Sequence, residues 1–343
     1  MLLPGIGEAG QRRLAGARVV VVGCGALGTA IADLLVRAGV GERDAGGGVT
    51  IIDRDIVELT NLQRQTLFEE ADAAAGTPKA AAAAARLARV NGGVNITPVV
   101  ADLNARSAER LVLGPGKPDV VLDATDNFST RYLINDLCVK NSIPWVYGGA
   151  VGTQGMVMTV LPRRTACLRC VFPEAPSPGT EPTCDTAGVL GPVTALVGAV
   201  QAAEAIKCIV GAEAAKGLLT VDLWTGVTRR LDVGGAREDC PCCGRGEHPY
   251  LEGLVGTAAT VLCGRNAVQV NPPREAVRGR MDFEALRRRL APHGTFESSR
   301  LMLRGVLRAE GLELTVFPDA RAIIRGTTDP AAALAVYARY IGS

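Results

Sequence analysis

The chain has 343 residues, 48% of them hydrophobic and 21% charged, with 37 Lys and Arg against 35 Asp and Glu for a net charge of +2. That balance suits one large or two smaller globular domains with a sizeable core, and it argues against overall disorder and against a sequence-independent grip on nucleic acid, which needs clustered basic surface. No charged n-region followed by an apolar run opens the chain, so the ten cysteines are read as reduced thiols or metal ligands of a cytoplasmic protein.

Residues 19–22 form a short apolar run, followed by the Gly-x-Gly-x-x-Gly turn of Gly23, Gly25 and Gly28 and by helical apolar spacing over 29–38. The glycine-rich stretch 41–48 is expected as a surface loop. Residues 49–52 supply a second strand ending at Asp53, and the alanine-rich 79–90 is a helix by propensity. Residues 94–100 and 120–122 are further strands, the latter entering Asp123-Ala-Thr-Asp126-Asn127. Strand alternating with helix predicts an α/β fold, a Rossmann-like doubly wound sheet. β-rich segments at 145–151, 156–161, 218–223 and 228–233 make its second half antiparallel.

Between those segments lie a Pro- and Gly-rich stretch at 173–182, expected as a mobile loop, and a long apolar helix over 192–210. The uncharged run 186–203 approaches spanning length, but Gly188, Gly191, Pro192, Thr194, Gly198 and Gln201 interrupt it and Glu204 and Lys207 follow at once, which argues against a membrane span. The tail reads as strands at 257–263, 268–270, 300–307, 312–317 and 323–324 and helices at 283–290 and 330–340. Two domains are expected: residues 1–248, and a small α+β domain over 249–343 whose sequence names no chemistry.

A glycine turn after a strand lets backbone amides at a helix N-terminus approach a phosphate, and Asp53 is placed to accept hydrogen bonds from ribose hydroxyls. A dehydrogenase would share these features. Asp55, Asn61, Gln63, Arg64 and Lys79 do not suit a nicotinamide site; Arg64 and Lys79 can neutralise a triphosphate and Asn61 can hydrogen-bond it. Asp123 and Asp126 end a later strand, on the crevice side of an open sheet, where a carboxylate can hold magnesium against phosphate oxygens. Cys167/Cys170 and Cys240/Cys243, two CxxC pairs roughly 70 residues apart, match a closed structural zinc site. Cys242 is an extra thiol in the second pair, and Cys24, Cys138 and Cys208 read as packing residues.

Gly23-Cys-Gly25-Ala-Leu-Gly28, Asp53-Arg-Asp55, Asn61-Leu-Gln-Arg64-Gln, Pro78-Lys79, Ala124-Thr-Asp126-Asn127, Cys167-Leu-Arg-Cys170, Thr183-Cys184 and Cys240-Pro-Cys-Cys243 resemble, in order and approximate spacing, the MoeB/ThiF family. These are enzymes, similar to ubiquitin-activating enzymes, that adenylate small sulfur-carrier proteins, and the resemblance covers about residues 2–245. It implies a nucleotide site in which Asp53 binds the ribose, Asn61, Arg64 and Lys79 the phosphates, and Asp126 magnesium, with Gly23, Gly25, Gly28, Asp55 and Asn127 completing it. It also implies ATP and zinc as cofactors, a homodimer, and as partner a β-grasp carrier whose C-terminal glycine attacks the α-phosphate. Cys184 lies where some relatives form a covalent link to the carrier, while in others adenylation proceeds without such a cysteine.

The start of the chain, Met1-Leu-Leu-Pro-Gly-Ile-Gly, matches the stretch after a family arginine that reaches the partner subunit's nucleotide, and Arg12 and Arg13 lie too far along to replace it. The tail does not resemble a rhodanese domain, so sulfur is expected from a separate donor protein. Two other readings stay open at this stage: an ATP-dependent modifier of a small molecule or tRNA base, and a non-catalytic protein that docks a carrier. The pathway, whether molybdopterin, thiamine, thiolated tRNA or cysteine, is not readable from these residues.

Overall fold

In the computed structural model, which describes residues 3–114, 116–175, 187–255, 259–262, 266–271 and 281–341, the valine run becomes β1 (Arg18–Val22). Its side chains alternate between two cores, Val19 and Val21 in one and Val20 and Val22 in the other, as a strand buried on both faces requires. The sheet order is β3-β2-β1-β4-β5-β6-β7-β8, with β2 (Gly48–Asp53), β3 (Ile96–Val100), β4 (Val120–Asp123) and β5 (Trp145–Val151) parallel to β1. The remaining strands, β6 (Gln154–Val160), β7 (Leu218–Asp222) and β8 (Val227–Leu231), run antiparallel. This is the expected half-parallel, half-antiparallel sheet.

Helices cover both faces. In chain order they are α1 (Gly7–Gly16), α2 (Ala26–Arg37), α3 (Glu70–Ala75), α4 (Lys79–Val90), α5 (Ala108–Leu113), α6 (Phe128–Lys140), α7 (Leu168–Val171) and α8 (Gly191–Val210). Leu14, Ile31, Leu35, Ala83, Leu87 and Val197, from α1, α2, α4 and α8, join the first core. Leu111, Tyr132, Leu137 and Trp145 join the second, together with Cys167 and Cys240. The α8 helix is the one described helix long and apolar enough to cross a membrane, but it packs on α2 and over β5 and β6. Among its buried polar residues, Gln201 Nε2 donates to the backbone carbonyls of Asp123 and Val146, and Glu204 pairs with Lys207.

The stretch 41–48 departs from a free surface loop. Gly41 and Gly48 donate to the carbonyls of Leu14 and Ala17, Glu42 bridges Val94, and only its tip, 43–46, is exposed. A Cβ on Gly47 would stand 2.7 Å from the carbonyl oxygen of Ala17, so the glycine content serves close backbone packing.

The chain divides into two compact units, Met1–Val255 and Gly256–Ser343. The first runs past residue 248 because Tyr250 stacks on Tyr132 of α6 at 5.0 Å and donates its backbone N–H to Asp136. The second holds a six-stranded antiparallel sheet, β11-β12-β13-β14-β10-β9, built from β9 (Ala259–Leu262), β10 (Ala267–Val270), β11 (Gly294–Ser298), β12 (Leu303–Leu307), β13 (Leu312–Val316) and β14 (Ala322–Arg325). Helices α9 (Phe283–Leu290) and α10 (Pro330–Tyr340) pack Leu286, Leu290, Val336 and Tyr337 against Val268, Leu314 and Ile324. Sequence reading missed β11, where only Phe296 is a large apolar residue, and placed the start of β12 at 300 rather than 303.

Candidate active site

Strand β1 has β2 on one side and β4 on the other, so the connections that leave their C-terminal ends diverge and open a crevice above the sheet. The glycine turn lies there. Gly23 has φ +93°, and a Cβ on it would stand 2.5 Å from the carbonyl oxygen of Ala124; one on Gly28 would collide with the carbonyl of Gly23. Gly25 is different: the nearest atom to its would-be Cβ is Gln65 Nε2 at 3.8 Å. The outer two glycines are needed for packing, and the middle one has room for a Cβ at ordinary contact distance from Gln65, on the side where a ligand can approach the backbone. Gly25→Ala is therefore expected to fold as the parent does yet to weaken ATP binding about tenfold, near 1.4 kcal/mol, in a calorimetric titration.

Asp53 ends β2 beneath this turn. Its two carboxylate oxygens accept the backbone N–H groups of Cys24 and Asp55, each at 2.6 Å, which ties the turn to the second strand. Burial pushes its pKa up, against the pull of Lys79. Cys24 is buried, and burial with the nearby Asp53 raises its thiol pKa, so it is a neutral packing residue. Lys79 begins α4 with a side chain 3% exposed; its Nζ lies 3.3 Å from Asp55 Oδ2 and its backbone N–H donates to the Asp55 carbonyl. Asn61 and Gln65, each 3% exposed, have side-chain carbonyl oxygens that accept no hydrogen bond among the described residues. Buried amides left in this state are costly unless something else binds them. Arg64 Nη1 donates to Thr60 O at 3.2 Å, and the segment Gln63–Arg64 lies against Gly191 at the N-terminus of α8.

On the other wall, Asp126 is exposed and makes no hydrogen bond or ion pair among the described residues. Asn127 caps α6, its Oδ1 accepting from Thr130 N at 2.9 Å. Asp123 is fully buried: Oδ1 takes the Thr125 N–H and hydroxyl, and Oδ2 stands 3.7 Å from Arg131 Nε. Burial pushes its pKa to about 6, although Arg131 and Thr125 hold it down. A carboxyl raised in the folded state binds its proton more tightly there than in the unfolded chain, so its contribution is full below pH 4 and is lost as pH rises through 6. From 3.8 to about 6 that loss is about 3 kcal/mol. Relative to the parent, Asp123→Asn is expected to gain about this much in urea-unfolding free energy between pH 4 and pH 7.5.

Sequence reading left several crevice residues without a role. Arg54, between the two chosen carboxylates, donates to Asp102 at 2.8 Å and lies 3.9 Å from Asp55. Burial works against its charge, but Asp102, Asp55 and Asp126 outweigh that and raise its pKa. Asp102 follows β3, so the strand-end rule applied to Asp53 and Asp123 also covers it. Arg131 donates to Thr125 O and stacks on Phe128 and Tyr147. Gln201 of α8 donates to Asp123 O at 2.7 Å and Val146 O at 3.1 Å, fixing the end of β4 from a position no local motif marks.

Away from the crevice, Cys167, Cys170, Cys240 and Cys243 bring their sulfurs within 4.8 Å of one another. The separations of 3.6 Å (Cys167–Cys240), 3.8 Å (Cys167–Cys170) and 3.4 Å (Cys170–Cys243) are close to the edge of about 3.8 Å that a tetrahedron of 2.3 Å metal–sulfur bonds requires. Cys242 stands outside this set. Cys184 and the Cys263-Gly-Arg265 stretch lie outside the described residues.

Residues 1–242 match the model of the ThiF family. The chain belongs to that family. It is 40% identical over 338 residues to the sulfur carrier protein ThiS adenylyltransferase of Bacillus subtilis, covering 98% of this chain and 96% of the relative. It is 41% identical over 255 residues to the SAMP-activating enzyme E1 of Haloferax volcanii, 74% of this chain and 90% of the relative. The sulfur carrier protein adenylyltransferase of Thermus thermophilus is 39% identical over 272 residues, 77% and 94% of the two chains. Among solved structures, E. coli MccB + ATP superposes with a TM-score of 0.59 over 69% of each chain at 23% identity, a likeness of fold.

Proposed function

We propose that this ThiF-family chain uses ATP to adenylate the C-terminal glycine of a ubiquitin-like, β-grasp sulfur-carrier protein and releases pyrophosphate. The observation that carries the reading is the uncrowded Gly25 above the Asp53–Asp55–Lys79 cluster, a cradle for phosphates with a buried cation beside it. The 40% identity to a ThiS adenylyltransferase over nearly the whole chain supports the choice of acceptor. A carboxylate is ionised near neutral pH, so the attack needs no general base. It needs alignment with the α-phosphate and neutralisation of charge as pyrophosphate departs, the tasks of Lys79 and Arg64. Asp126, exposed at the rim, would hold a magnesium ion, which supplies further charge neutralisation on the phosphates.

Cys167, Cys170, Cys240 and Cys243 would hold zinc as a closed, structural clamp. The remaining parts of the reading are a homodimer, a cytoplasmic setting and a separate sulfur donor. The test is exchange of labelled pyrophosphate into ATP, dependent on a carrier ending in Gly-Gly. Asp126→Asn should abolish exchange with zinc content unchanged, and exchange that ignores the carrier's terminus would overturn the reading.

A further inference from the structure

Beneath the cysteine clamp, three residues that the adenylation reading does not use converge from two parts of the chain. Asp136 comes from α6, and Cys242 and His248 from the loop that carries the second CxxC pair. All three are buried, and one ligating atom from each lies within 4.8 Å of the other two. Cys242 Sγ is 3.7 Å from His248 Nδ1, close to the edge of about 3.6 Å expected between a thiolate and an imidazole on one tetrahedral zinc.

A fixed hydrogen-bond donor faces the sulfur. Asn135 Oδ1 accepts the backbone N–H of Leu168 at 2.9 Å, which fixes the amide so that its Nδ2 donates to Cys242 Sγ at 3.2 Å. An N–H donated to sulfur is the kind of outer contact that steadies a metal-bound thiolate. Asp136 Oδ2 accepts Tyr250 N at 3.0 Å, and the carboxyl also faces the Cys242 side chain and the Leu251 N–H, while the buried Oδ1 makes no close hydrogen bond among the described residues. No lysine or arginine pairs with this fully buried carboxylate among the described residues. Burial pushes its pKa up, and the Tyr250 N–H, Cys242 and His248 pull it down, so a bound cation is one of the few ways to hold it ionised.

We propose that Asp136, Cys242 and His248 form a second metal site, distinct from the four-cysteine clamp and specific for a borderline divalent ion of the zinc type. One thiolate and one carboxylate balance the charge of the ion, and imidazole supplies a neutral third ligand. The mixed sulfur, nitrogen and oxygen set selects against magnesium and calcium, which prefer all-oxygen shells. Three protein ligands leave one position for water or a further ligand. The site would lock α6 to the loop after the second CxxC pair, and it does not depend on the adenylation reading.

The test is metal analysis of the full chain, purified with zinc and passed through gel filtration to remove loose ions, beside His248→Gln, Cys242→Ser and Asp136→Asn. Asp136→Asn preserves the acceptor for Tyr250 N, so it keeps the local fold while removing the charge. Each variant is expected to hold one zinc equivalent fewer per chain than the parent, and cobalt titration of the metal-free parent is expected to show one more equivalent than titration of His248→Gln. Equal metal content in the parent and all three variants would overturn the proposal, as would equal cobalt endpoints in the parent and His248→Gln.

Discussion

Lys79→Met is expected to reduce carrier-dependent pyrophosphate exchange by on the order of 10²–10³-fold, the usual cost of losing one preorganised charge-stabilising group. The side chain is nearly enclosed, 3% exposed, and no other lysine lies in the Asp53–Asp55 cluster to take its place. A stability effect accompanies the catalytic one. Removing one partner of a buried ion pair costs about 3–5 kcal/mol when the other charge is left alone. Here Asp55 is 15% exposed and has Arg54 at 3.9 Å, so a loss of about 2 kcal/mol is expected. The double variant Lys79→Met/Asp55→Asn separates the two effects. Its urea midpoint should return toward that of the parent while exchange stays low; recovery of exchange together with stability would mean that Lys79 acts only by holding Asp55.

Cys240→Ser is expected to have the largest effect on stability of any substitution outside the crevice. The clamp joins sulfurs 73 residues apart in sequence, and a cross-link of that span is worth about 4 kcal/mol by loop-closure entropy alone. For a unit of this size that corresponds to a fall of about 10 °C in Tm. Zinc content should fall in parallel, and removal of zinc from the parent by a chelator should lower Tm by a similar amount. Exchange measured well below both midpoints should change little, because the cysteine cluster and the glycine turn belong to different parts of the unit. A variant that loses zinc and keeps the parent Tm would show that the cysteines do not clamp the fold.

Much of the first sheet is legible in the sequence because its strands are apolar on both faces: the four valines of β1 read as a central strand and are one. The α6 helix is harder to read. Arg131, Asn135 and Asp136 are all buried within it, so no polar face alternates with an apolar one and the helical period is hidden. Those polar residues have partners far along the chain: Asn135 meets Cys242 and Leu168, and Asp136 meets Tyr250. The candidate site divides in the same way. Asp53, Asp55 and Lys79 are marked by strand ends and short spacing, and the structure brings them together. Gln201 stands 78 residues from the Asp123 carbonyl it holds, and Arg54 meets Asp102 from 48 residues away. Contacts of that range are set by packing of the folded sheet, and single-sequence patterns do not encode them locally.

Incubating the protein with magnesium, a diglycine-ending carrier and ATP labelled at the α-phosphate, then weighing the intact carrier by mass spectrometry, bears most directly on the proposed chemistry. One labelled adenylyl group is expected on the carrier's terminal glycine, with none on a carrier lacking its last two glycines. An unmodified carrier, with the α-phosphate label recovered only as ADP, would contradict it.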